Sequence, residues 1–448
     1  VKAARLTSGS IPGHVRTMAI PMVWGILAVV AVNITDTFFV GQLGTAPLAA
    51  LGFSFPVVMF VFSLGIGLSA GATSVIARGI GSGDAERVRR LTTDSLILSM
   101  VIASILAALG LATIDPVFRA LGADDTVLPL IHDYMVWWYI GSPFLVVAMV
   151  GNGAIRASGD TKWPGIVMVG SAVINAVLDP ILIFGLFGAP RLEVAGAAMA
   201  TTISRVAMLA VLLWLLHYRE HLIAWTRFTI RAFMTSIKPV LHIGGAAAIN
   251  QMLNPLAQAA ITAIVATYGA EAVAGYGVAA KIEGLLLVVL YAMSAVVGPI
   301  AGQNQSAGQP DRVVEVLRVT YLYSLIFGVI AGLLMLPLAG IIAPAFDANP
   351  EVVLVAVLYL YIVPWSFAGH GVVMNATAWL NGLGRAGPSL KLTILRLMVL
   401  MIPLAYLGSI FWGVLGVFAG IAAANAISGL VGYFWTKRLC NGLQQAVP

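Results

Sequence analysis

A chain of 448 residues in which 60% are hydrophobic and only 9% carry charge is excluded from the soluble globular class, where about a quarter of residues are charged. Its net charge of +6 comes from bases scattered over separate short segments, not from the single basic stripe that a nucleic-acid binder presents. One cysteine, Cys440, excludes an intramolecular disulfide and a cysteine-based metal cluster.

About 20 largely apolar residues cross a bilayer as a helix. By that measure the sequence predicts an all-α membrane protein with twelve spans, at 14–40, 46–79, 92–114, 129–157, 162–187, 193–217, 239–268, 271–302, 313–345, 350–381, 387–410 and 412–437. The first follows a short basic tail and reads as a span, not as a cleavable signal. It carries Pro21 and, near its outer end, Asp36 within Asn33-Ile34-Thr35-Asp36-Thr37-Phe38. An ionisable residue inside a span is costly and is therefore a functional candidate.

The second span contains Gly67-Leu68-Ser69-Ala70-Gly71, the G-x-S-x-G pattern of serine hydrolases. That motif belongs on a strand-to-helix turn, whereas glycines four apart in an apolar helix permit close helix packing. The chain is read as not an enzyme. No G-x-x-x-x-G-K-[ST] loop occurs either, so ATP is not the expected energy source.

The fifth span holds Asn175-Ala176-Val177-Leu178-Asp179-Pro180. Asn175 and Asp179 are four apart and share one helix face. Pro180 has no amide hydrogen, which leaves the Ala176 carbonyl oxygen free beside the carboxylate. Oxygen and amide groups of this kind suit sodium, or a proton shared between two acids, better than a transition metal. A structural role for the acids is the alternative. The sixth span brings Arg205, and the segment around 218–238 mixes Arg227, Phe228, Ile230, Arg231, Phe233 and Met234, as expected of a stretch on the inner membrane surface or of a solvated linker. Lys281 and Glu283 in span eight and Arg396 in span eleven complete the intramembrane charges. Lys281 and Glu283 do not face each other on an ideal helix; coupling, substrate and structural roles remain open for both.

The spans repeat. A shift of 225 residues takes Gly44, Gly52, Ser69, Gly83, Arg87, Val88 and Gly159 onto Gly269, Gly277, Ser294, Gly308, Arg312, Val313 and Gly384, and a shift of 224 takes Ala195, Gly196, Ile203 and Ser204 onto Ala419, Gly420, Ile427 and Ser428. Weak internal symmetry of this kind marks transporter folds. Nineteen of the 24 bases fall on one side, so both termini are expected in the cytoplasm. Each half then starts and ends inside, and the two are related by a pseudo-two-fold axis along the membrane normal. The expected division is 1–217 as an N-lobe, 218–238 as a linker and 239–448 as a C-lobe.

Asp36-x-x-Phe39-Val40-Gly41, Asn175-x-x-x-Asp179-Pro180 and Ala195-Gly196-Ala197-Ala198-Met199-Ala200-Thr201, set in twelve spans, give a chain that resembles the MATE multidrug and toxin extrusion transporters, DinF-like branch, over essentially its whole length. The resemblance implies a cation site in the N-lobe at Asp36, Asn175, Asp179 and Thr201, with the Ala197 carbonyl. It implies exchange of an external cation, a proton ahead of sodium, for organic and often cationic drugs leaving between the lobes, with no cofactor. It also implies a bacterial inner membrane location among lipids and a functional monomer. NorM-like members carry acids in spans seven and ten, where this chain has Asn250, Gln251, Asn254, His370 and Asn375, which points to N-lobe coupling. Phe38, Phe53, Met59, Phe60, Tyr139 and Met149 are adaptable side chains suited to promiscuous substrates, with helix packing or lipid contact as the other reading of each. The rival function is a lipid-linked flippase of the same exporter superfamily, whose cavity is cationic.

Overall fold

The computed structural model describes residues 4–224 and 229–445, so Arg227 and Phe228, used above, lie outside the described residues. In the first half the long helices are α1 (Ile11–Gly41), α2 (Thr45–Gly81), α3 (Ala85–Ala112), α4 (Leu128–Ala157), α5 (Lys162–Phe184) and α6 (Glu193–Arg219). The second half has α7 (Ile230–Ala266), α8 (Ala270–Leu286 and Val288–Ser306, bent by 44°), α9 (Pro310–Ala345) and α10 (Pro350–Gly382).

The last stretch, Ala386–Gln444, is two spans. Trp412 (φ −135, ψ 18) and Gly413 (φ 59, ψ −141) leave helical geometry, and a Cβ on Gly408 or Gly416 would collide with the other's carbonyl. Residues eight apart in a continuous helix are about 12 Å apart, so the chain doubles back as α11 (386–411) and α12 (414–445). The result is the twelve-helix, two-lobe architecture.

Duplication is visible in the backbone. Gly44 and Gly269 open α2 and α8 at φ 123 and 108, Gly83 and Gly308 follow the next helix ends at φ 77 and 72, and Gly159 and Gly384 take φ 88 and 74, a region that only glycine enters cheaply. Asp124 and Asn349, 225 apart, each accept the amide of the second residue onward at 3.0 Å, from Thr126 and Glu351.

By compactness the chain forms two units. Ile20–Ala248 makes the bulk of the first, while the second runs from Ile249 onward and includes Leu6–Ala19. Within the second, the Leu6 amide donates to Gln303 Oε1 at 3.1 Å, and Asn304 Nδ2 and Arg312 Nη2 each donate to the Leu6 carbonyl at 3.0 Å. Within the first, Arg89 Nε donates to the His221 carbonyl at 3.1 Å and the Ala224 amide to Thr93 Oγ1 at 2.9 Å. Residues 221–224 of the central connection are therefore docked on α3, while Thr229, Ile230 and Arg231 are exposed.

Ser69 has a packing task. Its hydroxyl donates to the Met149 carbonyl at 2.7 Å and accepts from Arg156 Nη2 at 3.4 Å. Gly67 and Gly71 meet the backbone of Val240 and Gly244 in α7, the close helix contact that their spacing predicts.

Candidate functional site

α5 ends at Gly185 in a left-handed conformation, which lets the chain return into α6. There a Cβ on Gly196 would lie 2.5 Å from the Leu182 carbonyl oxygen, so its absence allows α6 to lie directly on α5. Consequently Asn175 and Asp179 reach Thr201. Asn175 Nδ2 donates to Asp179 Oδ1 at 3.3 Å and to Thr201 Oγ1 at 3.2 Å, and the Thr201 hydroxyl donates to the Ala197 carbonyl at 3.0 Å. Val40 of α1, Ile183 of α5 and Ala197 form a buried apolar cluster with Phe39 and Phe184 packed on it. That cluster holds the outer part of α1 in place, and Asp36, one turn earlier, neighbours Asp179, Asn175 and Thr201. The five residues expected to form one site are together.

Asn175 and Asp179 are fully buried, yet Asp36 Oδ1, Asn175 Oδ1 and Asp179 Oδ2 have no hydrogen-bond partner. Buried polar atoms are normally satisfied. Two carboxylates at this separation, moreover, repel unless a proton or a cation lies between them. The donor set is two carboxylates, an amide oxygen, a hydroxyl and a main-chain carbonyl. It fits a hard cation or a shared proton and offers no soft ligand.

Two neighbours escaped the sequence reading of the site. Arg205, one turn beyond Thr201 on α6, is buried with its guanidinium 5.2 Å from the centre of the Trp138 ring and interacts electrostatically with Asp36. Its i,i+4 spacing from Thr201 was the available signal. Tyr134 of α4 lies in the same field, and nothing local in the sequence marks it.

The proposed substrate side chains differ in exposure. Phe38 is exposed, edge-on to Phe39 at 5.5 Å; Phe60 is exposed, and Phe53 and Met59 are half-buried on α2. Tyr139 is buried, its ring filling the space above Gly110, and Met149 lies against Gly65.

In the second unit Asn250, Asn254 and Asn375 join polar contacts of a different kind, and His370 is buried with its Nδ1 unpartnered among the described residues. Arg396, in the π-helical turn Leu395–Met401, donates to Asn254 Oδ1 at 3.1 Å and to Asn425 Oδ1 at 3.3 Å. Tyr359 donates to Glu283 Oε2 at 2.5 Å. Asn250 donates to Ser389 at 3.2 Å and Asn375 to Ser324 at 2.9 Å. Gln251 is half-buried outside these bonds.

Two six-helix lobes, the first with a buried polar site among its membrane-spanning helices, are the features of a multi-pass membrane transporter. The family model described as MatE matches residues 21–181 and 246–407. A curated relative from Shewanella oneidensis, named a FAD transporter, is 38% identical over 97% of this chain and 96% of its own length. A probable multidrug resistance protein of Bacillus subtilis is 28% identical over 90% and 89%. The crystal structure of the Vibrio cholerae MATE transporter VcmN in its bent form superposes with a TM-score of 0.91 at 28% identity, covering 97% of this chain and 98% of that one. The chain belongs to the MATE family.

Proposed function

We propose that this protein is a cation-coupled antiporter of the DinF-like branch, exporting organic molecules across a bacterial inner membrane with both termini in the cytoplasm and working as a monomer. The observation that carries the reading is the unsatisfied oxygen set at Asp36, Asn175 and Asp179. A proton, ahead of sodium, enters there from outside and relieves the repulsion between the two acids. Asp36, once neutral, no longer needs the partners that hold α1 against α5 and α6. Pro21 lacks the amide hydrogen of a helical bond and is the point at which α1 yields; its carbonyl rests against Gly165 of α5.

Substrate polarity has two readings. The first is the organic cation, in keeping with multidrug relatives. The second is an anionic aromatic molecule, favoured by the 38% identity to a protein named a FAD transporter and by an unpaired lysine in the second unit.

The test is efflux of a fluorescent dye from proteoliposomes under a proton gradient and, separately, a sodium gradient. Dye movement that follows the proton gradient and fails in Asp36→Asn is the expected result. Full coupled efflux by Asp36→Asn would overturn the assignment, and no gradient-driven efflux by the wild type would turn attention to lipid-linked substrates.

A further inference from the structure

Wholly inside the second unit lies a pocket of about 320 Å³ lined by Gln258 and Thr262 of α7 and by Val273, Tyr276, Gly277, Ala280 and Lys281 of α8. No acid lines it. Lys281 is exposed into this space and forms no ion pair among the described residues. The nearest acid in sequence, Glu283, is engaged with Tyr359 and faces the field of Arg396.

An uncompensated ammonium eleven residues into a membrane-spanning helix is costly, and such groups mark substrate paths. The floor beneath it is flat. Val273, Gly277 and Ala280 fall at helical spacing on one face, and a Cβ added to Gly277 would meet nothing within 4 Å. Tyr276 lines the pocket as well, its ring stacked on Phe418 at 6.3 Å. The pocket therefore pairs a planar apolar ledge with one fixed positive charge and two neutral polar groups, Gln258 and Thr262.

We infer that this pocket takes the anionic end of an aromatic substrate, a phosphate- or carboxylate-bearing ring system lying on the Val273–Ala280 ledge with its anion on Lys281. The inference rests on the export reading and selects its second substrate class. Lys281 supplies the charge-assisted contact, Gln258 and Thr262 supply hydrogen bonds, and Gly277 supplies the room.

Riboflavin and flavin mononucleotide share one ring and differ by a phosphate, so they isolate the charge. Binding of each to the full chain in detergent micelles is read from flavin fluorescence without any gradient, which keeps the result independent of whether Asp36 couples transport. The wild type is expected to prefer the mononucleotide by roughly tenfold to hundredfold, the worth of a hydrogen bond to a charged group. Lys281→Gln should abolish the preference, Lys281→Arg should retain most of it, and Gly277→Leu should weaken both ligands alike by filling the ledge. Equal binding of the two flavins by the wild type, or a preference that survives Lys281→Gln, overturns the assignment.

Discussion

The two lobes share a backbone plan and differ in charge. Counting from Pro180 to Pro403, the positions of Asn175 and Asp179 fall on Met398 and Ile402, and the 225-residue shift takes Asp36 to Ile261. Thr201 corresponds to Asn425, which accepts from Arg396. The turn glycines and helix caps, by contrast, recur pair by pair. Duplication has preserved what closes the helices together, and the polar chemistry has diverged on that frame: a pair of acids in one lobe, a buried arginine bonded to two amides in the other.

The largest expected effect comes from breaking the acid pair. Asp36→Asn and Asp179→Asn should each reduce gradient-driven efflux to the level of protein-free vesicles, while Ile261→Asn, at the matching position of the other lobe, leaves the ion dependence as it was. Next is the arginine. Arg396→Met leaves Asn254 and Asn425 without their donor and Glu283 without its compensating charge, and removing one partner of a buried charge cluster costs about 3–5 kcal/mol. Thermal unfolding in detergent should register that loss, with part recovered in the double variant Arg396→Met/Glu283→Gln.

A finer comparison uses the glycines. Gly196 and Gly420 both lie where a Cβ would collide with a carbonyl, those of Leu182 and Leu404, so alanine at either should destabilise by a similar amount, about 1–3 kcal/mol from overpacking. Only Gly196→Ala should also shift the proton dependence of efflux, because it separates α5 from α6 at the acid site. Identical transport defects in both variants would show that the lobes are not functionally distinct.

The smallest effect belongs to the two caps. The Thr126 hydroxyl, with the amides of Val127 and Thr126, holds the Asp124 carboxyl below the usual carboxylate range, whereas Asn349 does the same job without a charge. A lowered folded-state pKa means that the stabilisation is fully present above the ordinary aspartate value of about 3.9 and is lost as pH falls through the lowered value. Asp124→Asn should therefore lower the unfolding temperature slightly at neutral pH, and the gap should close in strongly acidic buffer.

Much of this was legible in the sequence because it is local. Span count follows from apolar length, and Asn175 and Asp179 share a face by spacing alone. Helix ends were less legible: α7 begins at Ile230 instead of 239, since its residues up to Ala248 pack with the first unit and carry it past the length that lipid requires. Tyr139 and Met149 show a second limit. Size and flexibility left ligand contact and helix packing both open, and it takes the tertiary structure to set these side chains against Gly110 and Gly65 on other helices. Arg205 was visible as a charge one helical turn from Thr201; its relation to Asp36 and Tyr134 is tertiary.

The membership of Leu6–Ala19 in the second unit, and of residues 230–248 in the first, bears on how the molecule could be divided. A protease cut in the central connection would not yield two self-sufficient fragments: the amino-terminal piece would keep the strand of chain that Gln303, Asn304 and Arg312 grip, and the carboxy-terminal piece would keep the helix that fits against Gly67 and Gly71. Half-genes expressed separately should each produce a bundle with an open seam, and co-expression should restore both.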